Sequence, residues 1–156
     1  MKIPFLHFKK HNLIYKDLYI KSFEEFLDNG NFILGEQVEK FEKEFAKYIG
    51  SDHAIGVSNC HDGLEILLRA SNIGIGDEVI VPANTFIATW LSIINVGAIP
   101  IPVEPHKQSL NIDKSLIEKA ISKRTKALIV VHLYGLPCDM DEINHIAKKN
   151  NLLVFE

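Results

Sequence analysis

An α/β domain, with helices on both faces of a mostly parallel sheet, is the fold this sequence predicts. Three observations carry it. From Ile55 onward, short apolar segments alternate with segments of helical periodicity, the order expected of parallel strands joined by crossover helices. Lys126-Ala127-Leu128-Ile129-Val130-Val131 and Leu152-Leu153-Val154-Phe155 are continuously apolar, as in strands covered on both faces. Pro100 and Pro102 interrupt the extended stretch 98–103, which puts that strand near a sheet edge, where a missing N–H does no harm.

The elements follow in order. Residues 13–28 carry Leu18, Phe23, Phe26 and Leu27 at helical spacing, and Asn29-Gly30-Asn31 ends that helix, since Asn and Gly tolerate a left-handed cap. Phe32-Ile33-Leu34-Gly35 reads as a short extended piece. Val38, Phe41, Phe45 and Tyr48 define a second amphipathic helix, closed by Gly50. Residues 53–57 are expected to form a short buried strand. Helices are expected at 61–71, 86–96, 113–121 (with Asp113 as N-cap) and 141–150. Strands are expected at 78–81, 98–103, 126–131 and 152–155. Residues 1–50 thus read as an N-terminal helical arm, and 51–156 as the α/β domain. The chain stops at Glu156, the last residue of an apolar strand, so the domain is expected to be incomplete.

Composition narrows the function classes. The formal charge of −3 comes without a basic stripe, which argues against a nucleic-acid partner. Lys9-Lys10, Lys123-Arg124-Lys126 and Lys148-Lys149 read as solvated faces. No apolar run reaches the ~20 residues that span a bilayer, and Met1-Lys2-Ile3-Pro4-Phe5 has no signal-peptide core. Cys60 and Cys138 are far apart, as in a protein of the reducing cytoplasm. His53, His61, His106, His132 and His145 are separated by whole elements, and no metal site is expected.

Three loops could carry chemistry. In Gly56-Val57-Ser58-Asn59-Cys60-His61-Asp62-Gly63-Leu64, a turn leads into a helix. The N–H groups of Cys60, His61 and Asp62 would be free at its N-terminus, a generic anion site that Ser58 or Asn59 could supplement. Simple capping of a core helix is the alternative. Pro82-Ala83-Asn84-Thr85-Phe86 follows a strand, and Phe86 could offer a flat face to an aromatic ligand or could be core. Val131-His132-Leu133-Tyr134-Gly135 also follows a strand. His132 and Tyr134 could bond a ligand there or satisfy loop carbonyls. G-x-x-x-x-G-K-[ST], G-x-G-x-x-G and G-x-S-x-G are all absent.

Taken together, these loops resemble the DegT/DnrJ/EryC1/StrS family of pyridoxal-phosphate (PLP) nucleotide-sugar aminotransferases. The resemblance also rests on Gly76-Asp77-Glu78-Val79-Ile80-Val81-Pro82, on Asn84-Thr85-Phe86-Ile87-Ala88-Thr89 and on Val154-Phe155-Glu156. It implies that residues 51–156 are the first part of a fold-type I PLP-binding large domain. It further implies that Cys60 and His61 hold the PLP phosphate through backbone amides, and that Phe86 stacks on the pyridine ring. Gly30, Asn31 and Phe32 would reach the nucleotide sugar, and the complete protein would be a homodimer. The Asp that pairs with the pyridine nitrogen and the Schiff-base lysine would lie beyond Glu156, so no catalytic residue is assigned here. The substrate would be a dTDP- or UDP-linked keto-deoxyhexose, with glutamate as amino donor, in the synthesis of cell-surface or secondary-metabolite sugars. Cys60 stands where the family usually has Gly, which narrows the backbone's options. His61 stands where it has Thr or Leu. The N-x-x-D-x-L form leans toward 3-keto-6-deoxyhexoses. Two other readings are a remnant that binds a partner or nucleotide sugar without chemistry, and a PLP- or pyridoxamine-phosphate-dependent sugar dehydratase.

Overall fold

The computed structural model describes residues 3–5 and 7–156, the side chain of His11 excepted. The reading of Met1 and Lys2 lies outside them. The chain separates into two units, one ending at Gly56 and the other comprising Val57–Glu156.

The first unit is helical. α1 (Phe8–Asn29) begins earlier than the apolar spacing suggests, because the His7 side chain accepts the Lys10 N–H at 3.3 Å and caps the first turn. His7 and His11 stand one turn apart in sequence, an H-x-x-x-H pair that the expectation of histidines separated by whole elements left out, and His7 Nδ1 is engaged as a cap. The helix ends at Gly30 with φ 68°, the left-handed cap glycine adopts without a Cβ penalty. Residues 32–35 are not extended. They bend, with Leu34 at φ 50° and the Phe32 ring 5.1 Å from that of Phe26. The Gly35 carbonyl then accepts the N–H groups of Val38 and Glu39, starting α2 (Glu36–Ile49). The expected strand at 53–57 is also absent, and Ile55 is exposed. No strand among the described residues pairs with it, and the Gly56 N–H goes instead to Glu42 Oε1 at 2.7 Å.

The second unit runs α3 (Cys60–Ala70), β1 (Glu78–Pro82), α4 (Ile87–Asn95), β2 (Ile99–Val103), α5 (Lys114–Ala120) and β3 (Thr125–Ile129). A 3-10 turn (Leu133–Gly135), α6 (Met140–Lys149) and β4 (Leu153–Phe155) complete it. The sheet order is β2-β1-β3-β4, and every pairing is parallel. The proline-bearing β2 is an edge strand, as expected. The pleat sends successive side chains to opposite faces. Val79, Val81, Ala127 and Ile129 meet α3 and α4 through Leu64, Leu68 and Ile93. Ile80, Leu128 and Val130 meet α5 and α6 through Ile117, Ile143 and Ile146. The continuous apolar run in β3 therefore reflects two separate cores. Asp113 caps α5 by accepting the Ser115 N–H at 3.0 Å, and Asp139 caps α6.

Glu78 is the buried charge of this unit, 4% exposed at the amino end of β1. Ser122 and Arg124 both donate to it. The Ser122 hydroxyl, followed by the Arg124 guanidinium, holds its carboxyl below the ordinary value of 4.5. A folded-state pKa below the unfolded one stabilises the protein above the ordinary range, and that contribution is lost as pH falls through the folded value. The urea midpoint should therefore be lower at about pH 3 than at about pH 7. Glu78→Gln should flatten that slope and cost about 1–3 kcal/mol at neutral pH, because a buried carboxylate that accepts from Ser122 and Arg124 is replaced by a neutral amide that bonds them less well. An unaltered slope would mean that other carboxylates dominate.

Candidate cofactor cleft

Ligands of open parallel sheets bind outside the carboxyl ends of the strands. In the second unit, a mostly apolar cleft of about 550 Å³ lies there. Its walls come from the start of α3 (Cys60, His61), the loop after β1 (Thr85, Phe86), the segment after β3 (His132, Tyr134) and Glu156 after β4. Candidate residues from three separate parts of the sequence, Cys60 with His61, Phe86, and His132 with Tyr134, thus line one cleft.

The start of α3 is built by a side-chain cap. Asn59 Oδ1 accepts the Asp62 N–H at 3.0 Å, and the Asn59 carbonyl accepts the Gly63 N–H at 3.0 Å. Asp62 is therefore not a free donor, contrary to the expectation of three. The N–H groups of Cys60 and His61 have no partner among the described residues. Two orphan donors at a helix N-terminus, facing a cleft, suit the oxygens of a phosphate monoester. Ser58 and Asn59 do not supplement them, because both donate to the Asp62 carboxylate. Cys60 starts the helix without a positive φ, so its Cβ is accommodated where the family usually has Gly. The His61 ring faces Asn95 Nδ2 at 3.4 Å. Asn95 also donates to Glu65, whose carboxyl is held below its ordinary range by Arg69 first and Asn95 second.

Phe86 is 76% exposed at the N-cap of α4, so it is not a core residue of this unit. Beside it, the Thr85 and Thr89 hydroxyls bond at 2.9 Å. His132 is held at both nitrogens. The Cys138 N–H donates to Nδ1 at 3.0 Å, and Nε2 lies 2.8 Å from Glu156 Oε2. An Nδ1 that accepts leaves the proton of the neutral ring on Nε2, aimed at the carboxylate. Cys138 itself is buried, and its thiol donates to the Val131 carbonyl at 3.3 Å. Burial, and then the charge of Glu156, push that thiol up, so it is unreactive packing. Gly30, Asn31 and Phe32 belong to the first unit, where they form the cap and bend after α1. Among the described residues, no group of three His, Cys, Asp or Glu side chains could hold a metal, and no helix is long and apolar enough to cross a membrane.

The parallel sheet covered by helices, with its cleft at the strands' carboxyl ends, is part of a fold-type I transferase domain. The chain belongs to the DegT/DnrJ/EryC1/StrS aminotransferase family, whose sequence pattern matches residues 14–156. It is 49% identical over 154 residues to the dTDP-3-amino-3,6-dideoxy-alpha-D-galactopyranose transaminase of Aneurinibacillus thermoaerophilus, covering 99% of this chain and 42% of the relative. The crystal structure of S. venezuelae DesV in complex with ketimine intermediate matches with a TM-score of 0.95 and 44% identity, covering 98% of this chain and 41% of DesV. The structure of ntda from Bacillus subtilis with bound cofactor PMP matches with a TM-score of 0.91 and 37% identity, covering 98% of this chain and 35% of that one. The chain thus spans about two fifths of the length of the curated relatives it matches.

Proposed function

We propose that this chain forms the phosphate- and ring-binding wall of a PLP-dependent aminotransferase that acts on a keto sugar carried by a nucleotide. The observation that carries the reading is the pair of unpartnered amides at Cys60 and His61, sharing one cleft with the exposed ring of Phe86. When bound, PLP supplies the electron sink for amino-group transfer, and the protein supplies orientation and charge. The amides and the dipole of α3 would hold the phosphate. Phe86 would cover one face of the pyridine ring and exclude water from it. His132 would present its Nε2 proton to Glu156 and keep that carboxylate in place at the end of β4.

The sugar is inferred to be a dTDP-linked 3-keto-6-deoxyhexose. The N-x-x-D-x-L form of residues 59–64 supports this, as do the names of relatives that make 3-amino sugars on dTDP and UDP. Glutamate is proposed as amino donor and the cytoplasm as location. Gly30, Asn31 and Phe32 are proposed to contact the nucleotide sugar. The large apolar side chains exposed around α1, Leu13, Leu18, Phe23 and Leu27 among them, support a homodimer in the intact protein, because extensive exposed apolar surface marks an interaction site.

The test offers the intact protein PLP, glutamate and a panel of dTDP- and UDP-linked 3-keto and 4-keto sugars. Amino-sugar nucleotide should form fastest from the dTDP-linked 3-keto substrate. PLP uptake without turnover of any sugar would overturn the reading. The 156-residue chain alone should give no turnover, because none of its lysines matches the family's Schiff-base motif. Turnover by the chain alone would show that one of them serves.

A further inference from the structure

Asn111 lies outside the cleft yet is buried, 4% exposed, in the loop between β2 and α5. Its side chain is spent entirely on one short turn. Oδ1 accepts the Leu133 N–H at 3.0 Å, and Nδ2 donates to the Leu136 carbonyl at 2.8 Å. One amide therefore bonds both ends of the Leu133–Leu136 segment. Between those ends, Tyr134 has φ 53° and ψ 26° and is fully exposed. A bulky residue in the left-handed region persists only where its surroundings enforce it. The turn's own bonds are short-range: Gly135 N–H to the His132 carbonyl at 3.0 Å, and Leu136 N–H to the Leu133 carbonyl at 3.1 Å. Asn111 supplies a longer-range tie.

Asn111 is itself fixed. Its carbonyl accepts the His106 N–H at 2.8 Å, and Pro105 bridges Ile112. The neighbouring Leu110 carbonyl accepts from Asn84 Nδ2 at 3.4 Å, in the loop that leads to Phe86. The Leu110-Asn111 tip thus touches two of the loops that wall the cleft.

We propose that Asn111 is a positioning residue for the cleft, holding the strained Tyr134 turn so that His132, Leu133 and Tyr134 form a fixed wall against the cofactor. The proposal rests on the reading of the cleft as a PLP site. It acts through the turn, since the Asn111 side chain does not line the cleft.

The experiment uses the intact protein, with PLP as probe, and compares Asn111→Ala with Glu78→Gln. Glu78 lies at the opposite, amino end of β1, so its variant controls for lost stability alone. Three quantities are read: PLP dissociation constant, melting temperature, and amide exchange at Leu133 without PLP. Asn111→Ala should speed Leu133 exchange at least about tenfold. It should weaken PLP binding about tenfold, the equivalent of ~1.4 kcal/mol, while Glu78→Gln keeps PLP binding within about twofold. If Asn111→Ala fails to fold, Asn111→Leu takes its place, because it nearly keeps the volume but loses both the acceptor for Leu133 and the donor to Leu136. Unchanged Leu133 exchange overturns the clamp. PLP uptake by the parent with equal uptake by the Asn111 variant overturns the positioning role alone, as does an equal loss in Glu78→Gln. A parent that takes up no PLP overturns the cofactor reading, and this proposal with it.

Discussion

Phe86→Ala in the intact protein should weaken PLP retention by about threefold to tenfold and leave the melting temperature nearly unchanged. A ring stacked on an aromatic ligand contributes about 0.5–1.5 kcal/mol beyond its area, and ~1.4 kcal/mol is a factor of ten in affinity. Phe86 is three-quarters exposed in the second unit, and exposed substitutions usually move stability by less than about 0.5 kcal/mol. A core phenylalanine would behave in the opposite way, losing about 3–5 kcal/mol on truncation. Phe86→Trp should retain PLP, because a larger ring offers the same flat face. A large drop in melting temperature with PLP affinity intact would make Phe86 a packing residue.

Leu128→Ala should have the larger effect on stability, about 2–5 kcal/mol. Leu128 is fully buried in β3, between β1 and β4, and packs toward α5 and α6. Close packing on that face leaves little room for neighbours to collapse into the space. Chemical denaturation of the intact protein measures the loss as a lower midpoint. A cost under about 1 kcal/mol would mean that the α5–α6 face is loosely packed.

Much of the second unit was legible because local chemistry and burial agree there. The uninterrupted apolar run from Ala127 to Val130 could only be a strand with two covered faces, and Val79-Ile80-Val81 beside it divides its side chains in the same way. Prolines marked β2 as an edge, and Gly30 and Gly50 marked the ends of α1 and α2 by their left-handed caps. Residues 53–57 have strand composition, but a strand is defined by its neighbour, and composition does not supply one. Leu34 with φ 50° carries no signal that separates a bend from an extended piece.

The site was legible as three loops and less so as a hydrogen-bond pattern. That Phe86 and His132 meet in one cleft follows from strand ends sharing one side of a parallel sheet, whereas no strand precedes Cys60, which the start of α3 brings there. The diversion of Ser58 and Asn59 to Asp62 does not, because it depends on which of several nearby acceptors wins. The His132–Glu156 contact needs the β3–β4 register, which pairs Ile129 with Phe155. Asn111 was invisible as a positioning candidate: its partners lie 22 and 25 residues away, and a lone Asn between Leu110 and Ile112 reads as an ordinary loop residue.

The crystal structure of the intact protein grown with PLP tests the central claim most directly. The proposal predicts phosphate oxygens at about 2.7–3.2 Å from the backbone nitrogens of Cys60 and His61, with the pyridine ring lying against Phe86. PLP bound elsewhere, with the Cys60 and His61 amides facing only water, would contradict it.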